Sequence, residues 1–450
     1  SIVNRHESLR TIFKQDEVGE YFQLVTNLPL NIEYKDFYEQ KNLDQMIVED
    51  GSYVFKLDAE LPIKVCFYRD TSNKTVNQSK NKSKTGHQHY LLITIHHIAF
   101  DGWSGNVFFD ELNGFYDYYN KSNKLSVTNL TIQYKDFAFW QKTYLAEHVF
   151  HDQIAYWKKQ LNGFEPLNFP IDKSRPAKVR YDGGDYNFYI DFEDTEILKK
   201  IAMNNGVTLY VVLLCIFNIL LSRYTNQSDI VIGTPIANRH YPQLKNLIGF
   251  FVNSLAIRTH IDLSKTLDEF IQQVNDNVIK AQCYQDLPFE KLVDELRLEK
   301  DLSRHPIFQI FFEVQTFDLF KSKNTTENKE VFYKSYEISK EISAAKFDLS
   351  LIIDDLGEKL FCNLNFAKSL FDEASIRKIA LHYKFLIRQI VESYKCNSIA
   401  FQKISDLRVL TLEEHQKIVC GYNRTDRNFY ENKTIHEMFQ EQVDKTPNNT

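Results

Sequence analysis

A chain of 450 residues is too long for one hydrophobic core and implies two or three units, and its 43% apolar content is ordinary for a soluble globular protein. The mild net charge of −6 argues against nucleic-acid binding, and no apolar run reaches the length of a membrane span; the longest, 209–221, suits a buried helix. Cys66, Cys215, Cys283, Cys362, Cys396 and Cys420 are scattered without a CxxC pair or zinc-like spacing, and no secretory leader is visible, so a reducing cytosol is the expected compartment.

Up to about Leu161 strands and helices alternate. Residues 22–25 and 63–68 are strand-like, and 71–88 are polar and lysine-rich without an apolar period, which predicts a long surface loop. The β-branched run 91–95 predicts a buried strand ending at His96 and His97. Val107, Phe108, Leu112, Phe115 and Tyr119 fall at helical spacing and predict a helix over 105–119 with Ser104 as its cap. The stretch 162–185 holds the densest cluster of glycine and proline and is expected to connect two lobes. Beyond it helices are expected at 195–205, 209–224, 266–284 and 371–394, and strands at 229–234, 307–314 and 347–353. The polar segment 317–334 is expected to be a loop. Residues 422–432 suggest a linker before an amphipathic helix over 433–447 carrying Ile435, Met438, Phe439 and Val443. This alternation through two comparable halves predicts an α/β architecture.

The chemistry is concentrated in YLLITIHHIAFDGWS, residues 90–104. Side chains alternate along a strand, so His96 and His97 are expected to face opposite sides. Taken alone, the pair reads first as buried histidines satisfied by backbone groups. Asp101 alone reads first as a turn or cap residue. Gly102 would let the chain turn sharply and let a ligand come close. A metal site is disfavoured, because adjacent strand histidines cannot both ligate one ion and no further ligand lies at a sensible spacing.

Other segments follow a known order around this one. RHESLRTIF (5–13), YKDFAFWQ (134–141), IGFFVN (248–253), YQDLPFE (284–290) and DLSRHP (301–306) join HHIAFDGWS in a set that resembles the motifs of nonribosomal peptide synthetase condensation domains, which belong to the chloramphenicol-acetyltransferase-like acyltransferases. Tyr284 departs from the usual first residue of its motif. The family's first motif is absent before Arg5, so the chain is expected to be a piece of a longer polypeptide. KTIHEMFQEQVDKTP (433–447) is similar to the opening of an adenylation domain.

The resemblance implies two chloramphenicol-acetyltransferase-like lobes forming a pseudo-dimeric V with a central tunnel. It places the first lobe, truncated at its start, at 1–161, the second at 162–405, a linker at 406–432 and the start of an adenylation domain at 433–450. It implies amide formation between an upstream acyl or peptidyl thioester and the amine of a downstream aminoacyl thioester. Both would ride on phosphopantetheine arms of carrier domains, with an adenylation domain adjacent, no tightly bound cofactor, no metal, no nucleic acid and no membrane. His97 would be catalytic, either as general base or as a positioning hydrogen bond to the amine. His96 would be structural. Asp101 would be a buried carboxylate held by an arginine, with Arg5 and Arg10 as candidates. Gly102 would offer a backbone N–H to the thioester, and Trp103, Ser104 and Asn253 would lie along the substrate channel. An epimerisation domain of the same fold and a non-catalytic scaffold module are the competing readings. A heterocyclisation domain would carry aspartates in place of the histidines.

Overall fold

A computed structural model describes residues 1–71, 88–121, 127–145, 148–299, 301–315, 332–336, 343–425 and 433–447. The expected loops at 71–88 and 317–334, and part of the expected linker at 422–432, lie largely outside these residues. The chain forms two compact units, Ser1–Leu407 and Arg408–Thr450.

In the first unit β1 (Thr11–Gln15) pairs antiparallel with β2 (Tyr21–Val25). A separate three-stranded sheet has β4 (Ile63–Asp70) at its centre, parallel to β3 (Ile32–Phe37) and antiparallel to β5 (His89–Ile95). The period of two explains why β4 is buried on both sides. Ile63 and Val65 join Leu9, Phe108 and Ile248 in one core cluster, while Cys66 and Tyr68 join Phe37, Leu43 and Ile47 in another. The helix Gly102–Lys121 supplies Val107, Phe108, Leu112 and Phe115 to the first cluster, where Ile93 and Ile95 also pack, so it lies under the strand that leads to the histidines. Its bounds correct the expected cap. Ser104 lies inside the helix, and Asp101 just before it accepts the Ser104 N–H at 2.8 Å.

The larger sheet has six strands in the order β6 (Gly183–Ile190), β11 (Leu360–Ala367), β10 (Leu349–Asp355), β9 (Ile310–Gln315), β7 (Asp229–Ile236) and β8 (Asn253–His260). β9 runs parallel to both β10 and β7, and the other pairs are antiparallel. The expected strand at 307–314 starts late because Ile307 takes a positive φ of 68° in a turn where the Phe308 N–H reaches the Pro306 carbonyl. Two glycines assigned to the connector, Gly183 and Gly184, open β6 instead. At Gly184 a Cβ would stand 2.5 Å from the Phe366 ring, so close packing rather than a turn requires glycine there.

The helix Leu209–Thr225 is apolar all round because it is buried all round, from Val211 to Ser222. Among the described residues no single helix is long and apolar enough to cross a membrane. In the second unit the helix Ile435–Lys445 starts at a capping box of Thr434 and Glu437. Ile435, Met438, Phe439 and Val443 all stay exposed on it.

Candidate active site

β5 ends at Ile95, and His97 opens a single 3₁₀ turn, His97–Ala99. The two histidines therefore diverge because the chain turns between them, and not by strand alternation. His96 is held by its own loop, its Nδ1 accepting the Ile98 N–H at 3.0 Å while its ring meets Phe55 edge-on. Burial lowers its proton affinity, and the neighbouring His97 adds to the effect. A neutral imidazole with Nδ1 committed as acceptor is a structural part. His97 is exposed, with its ring edge-on to Phe250 at 5.2 Å between centroids.

Asp101 is the centre of a buried polar clasp. Its arginine is Arg239, and neither Arg5 nor Arg10 fills that place. Arg239 Nη2 donates to both Asp101 oxygens at 2.9 and 3.1 Å, and only 1% and 2% of the two side chains remain exposed. Burial pulls the guanidinium down from its usual range, and the carboxylate beside it opposes that pull. Asp101 also accepts the Phe251 N–H at 3.0 Å and the Ser104 hydroxyl at 2.7 Å. Arg239 Nη1 donates to the Leu244 and Leu247 carbonyls, at 2.7 and 2.6 Å, and the guanidinium stacks over Phe251, while its buried Nε has no hydrogen-bond partner among the described residues. Both Asp101 oxygens and both terminal nitrogens of Arg239 are thus hydrogen-bonded, the condition under which a buried ion pair is tolerated.

Arg5 and Arg10 have partners of their own. Arg5 Nε reaches Glu111 at 2.8 Å. His6 Nδ1 accepts the Ile248 N–H at 3.2 Å, which leaves Nε2 to donate to Glu111 at 2.9 Å. Arg10 pairs with Glu7 at 3.5 Å and donates to the Thr26 carbonyl at 3.1 Å. The sequence reading missed Arg239, His6 and Glu111. Arg239 carried one usable signal, the single arginine between the strand β7 and IGFFVN.

The sequence motifs converge on residues 248–253. Ser8 donates to the Ile248 carbonyl at 2.7 Å, and Tyr134 to the Phe250 carbonyl at 2.8 Å. Gly249 is needed for this approach, since a Cβ there would stand 2.3 Å from the Tyr134 ring. Asn253 donates to the Gln285 and Leu287 carbonyls at 2.8 and 2.7 Å and accepts the Phe289 N–H at 3.1 Å, which fastens the YQDLPFE segment.

A cavity of about 310 Å³ lies against this clasp. Asp101, Gly102 and Trp103 form one wall, and residues of β7, β8 and β9 form others. Gly102 has nothing within 4 Å of where a Cβ would be, and it needs no unusual backbone angle. Its effect is to leave space at the start of the helix, rather than to make the turn expected of it. Trp103 lines the cavity and donates its indole N–H to the Lys245 carbonyl at 2.9 Å. Ser104 and Asn253, expected along a channel, do not line the cavity, because their polar atoms are used inside the protein. His97 is also not part of the cavity wall; it stands on the turn that leads into Asp101 and Gly102. The lining residues include no serine or cysteine.

The condensation-domain family model matches residues 1–419. Gramicidin S synthase 2 of Brevibacillus brevis is 32% identical over 447 residues, which is 99% of this chain and 9% of that protein, so the chain spans only a small part of the length of such a relative. Among solved structures the X-domain from teicoplanin biosynthesis has a TM-score of 0.76 at 24% identity, covering 91% of this chain and 88% of that one. The first condensation domain of the calcium-dependent antibiotic synthetase has a TM-score of 0.67 at 15% identity, again covering 91% and 88%. These likenesses establish the mixed α/β fold expected from the motifs, and with the matched family model they show that the chain belongs to the condensation-domain family.

Proposed function

We propose that this chain joins an acyl or peptidyl thioester to the amine of an aminoacyl thioester within a nonribosomal peptide synthetase. One observation carries the reading. His97 stands exposed on a turn whose neighbouring groups, His96 and Asp101, are committed to holding that turn in place. Asp101, saturated by Arg239, Ser104 and Phe251, is not left to move protons.

The thioester is already activated, so no enzyme nucleophile is required. The amine nitrogen attacks the thioester carbonyl carbon, and the C–N bond forms. The C–S bond breaks and the sulfur of the phosphopantetheine arm leaves as thiolate; the proton lost by the amine, taken up by His97 or passed on from an amine that His97 orients, ends on that sulfur to give the free thiol. The open space beside Gly102 lets the carbonyl approach the first turn of its helix, where leading N–H groups lack intrahelical partners. In this reading both substrates ride on carrier domains, the three-stranded and six-stranded sheets of the first unit belong to the two lobes, and the segment from Lys433 onward begins an adenylation domain.

Single-turnover reactions with both carriers loaded test the proposal. The wild-type chain should make a new amide, and His97→Ala should slow it by ~10²–10⁴, roughly 3–5 kcal/mol of barrier. Inversion of a stereocentre without amide would mean epimerisation, and neither product would mean a scaffold. An unslowed His97→Ala would remove His97 from the chemistry.

A further inference from the structure

The cavity holds a second carboxyl group that the reaction just described does not use. Glu313 sits on β9, between β10 and β7, and reaches the cavity together with Gln315, two residues on and so on the same face of the strand. Gln315 Nε2 donates to Glu313 Oε1 at 2.9 Å. Among the described residues no cation lines the cavity and none forms an ion pair with Glu313; Lys346 is exposed and acts on it only through space. Burial pushes the Glu313 carboxyl up, and Asp354 adds to that. The remaining walls are mostly apolar, including Ile236, Val252, Leu255, Ile257 and Val278.

A carboxyl group in an apolar hollow costs free energy unless something pairs with it. The cavity's other carboxylate, Asp101, is already paired, so the capacity of the site to pair with a cation rests on Glu313. A hollow of about 310 Å³ is at the small end of ligand pockets and suits an amino-acid side chain. The wall at Gly102 and Trp103 brings the cavity up against the segment that follows the His97 turn. We infer that the cavity receives the side chain of a thioester-bound aminoacyl group, and that Glu313 selects a side chain ending in a primary ammonium, of the lysine or ornithine class. This rests on the condensation reading for the identity of the ligand, and its test does not need the reaction.

The probes are unreactive pantetheine conjugates in which an amide replaces the thioester. One carries lysine, one carries norleucine, which puts a methyl where lysine has its ammonium, and one carries Nα-acetyl-lysine. Binding to the full chain is measured by calorimetry. The wild type should bind the lysyl probe about tenfold or more tighter than the norleucyl probe, as expected for a charged hydrogen bond in a largely apolar site. Glu313→Gln should shrink that ratio to about twofold or less. Glu313→Val should invert it in favour of norleucine, a gain that misfolding cannot imitate. The Nα-acetyl-lysyl probe should bind as the lysyl probe does; loss of binding on acetylation would mean that the α-ammonium is read, and would overturn the inference. Equal wild-type affinities, or a preference that survives Glu313→Gln, would overturn it as well. If the binding pattern holds while loaded carriers give no amide, the condensation reading fails and the pocket stands. Amide formation with no binding preference has the opposite meaning.

Discussion

Asp101 and Glu313 are carboxyl groups on the wall of one cavity, and the protein treats them in opposite ways. Asp101 accepts from a guanidinium, a hydroxyl and two backbone N–H groups, and its side chain is only 2% exposed. Glu313 accepts from one amide, that of Gln315, and no described cation pairs with it. The saturated carboxylate has no capacity left for a ligand and serves architecture. The unsaturated one holds its capacity open at a cost in stability, the usual character of a recognition site. The same division separates the adjacent histidines, since His96 is committed to its own loop while His97 faces outward.

Stability measurements can break this comparison. The largest effect is expected at the clasp. Asp101→Ala leaves Arg239 buried without its charge partner and should cost about 3–5 kcal/mol in urea unfolding. Arg239→Met should cost a similar amount, and the double variant should lose much less than the sum. Additive losses would reduce Asp101 to a helix cap. An intermediate effect is expected at Gly249→Ala, whose new Cβ meets the Tyr134 ring, and about 1–3 kcal/mol should be lost. Tyr134→Ala in that background should recover part of it, and no recovery would mean that the clash lies elsewhere. The smallest effect is expected at Glu313→Gln, which replaces a half-buried carboxyl group without a described ion-pair partner by a neutral amide and should leave stability within about 0.5 kcal/mol of wild type or slightly above it. A loss on the scale of Asp101→Ala would place Glu313 in the architecture and erase the contrast.

Much of this site is legible from local pattern. The run 91–95 is long, β-branched and apolar, and the spacing of Val107, Phe108, Leu112 and Phe115 is helical, so the strand and helix that bracket His96 to Asp101 follow from neighbours in the chain. The separate fates of the two histidines are also legible, though through strand alternation where the structure uses a turn. Local pattern fails where a partner lies far along the chain. Asp101 and Arg239 are 138 residues apart, and nothing near either says that they meet. Arg5 and Arg10 are plausible on charge alone, but Glu111 and Glu7 hold them.

By itself the sequence determined the local elements, the family and the residues that could do chemistry, because hydrophobic period and motif spacing are properties of neighbours along the chain. Only the tertiary structure decided which of those residues are spent and which are free. Partner choice depends on which segments the sheets and the helix Gly102–Lys121 bring together, and a buried charge takes whichever partner the fold delivers. The alternation in IFFEVQ places Glu313 and Gln315 on one face of a strand, but that this face borders a hollow against Gly102, with no described cation in its wall, is a fact of packing alone.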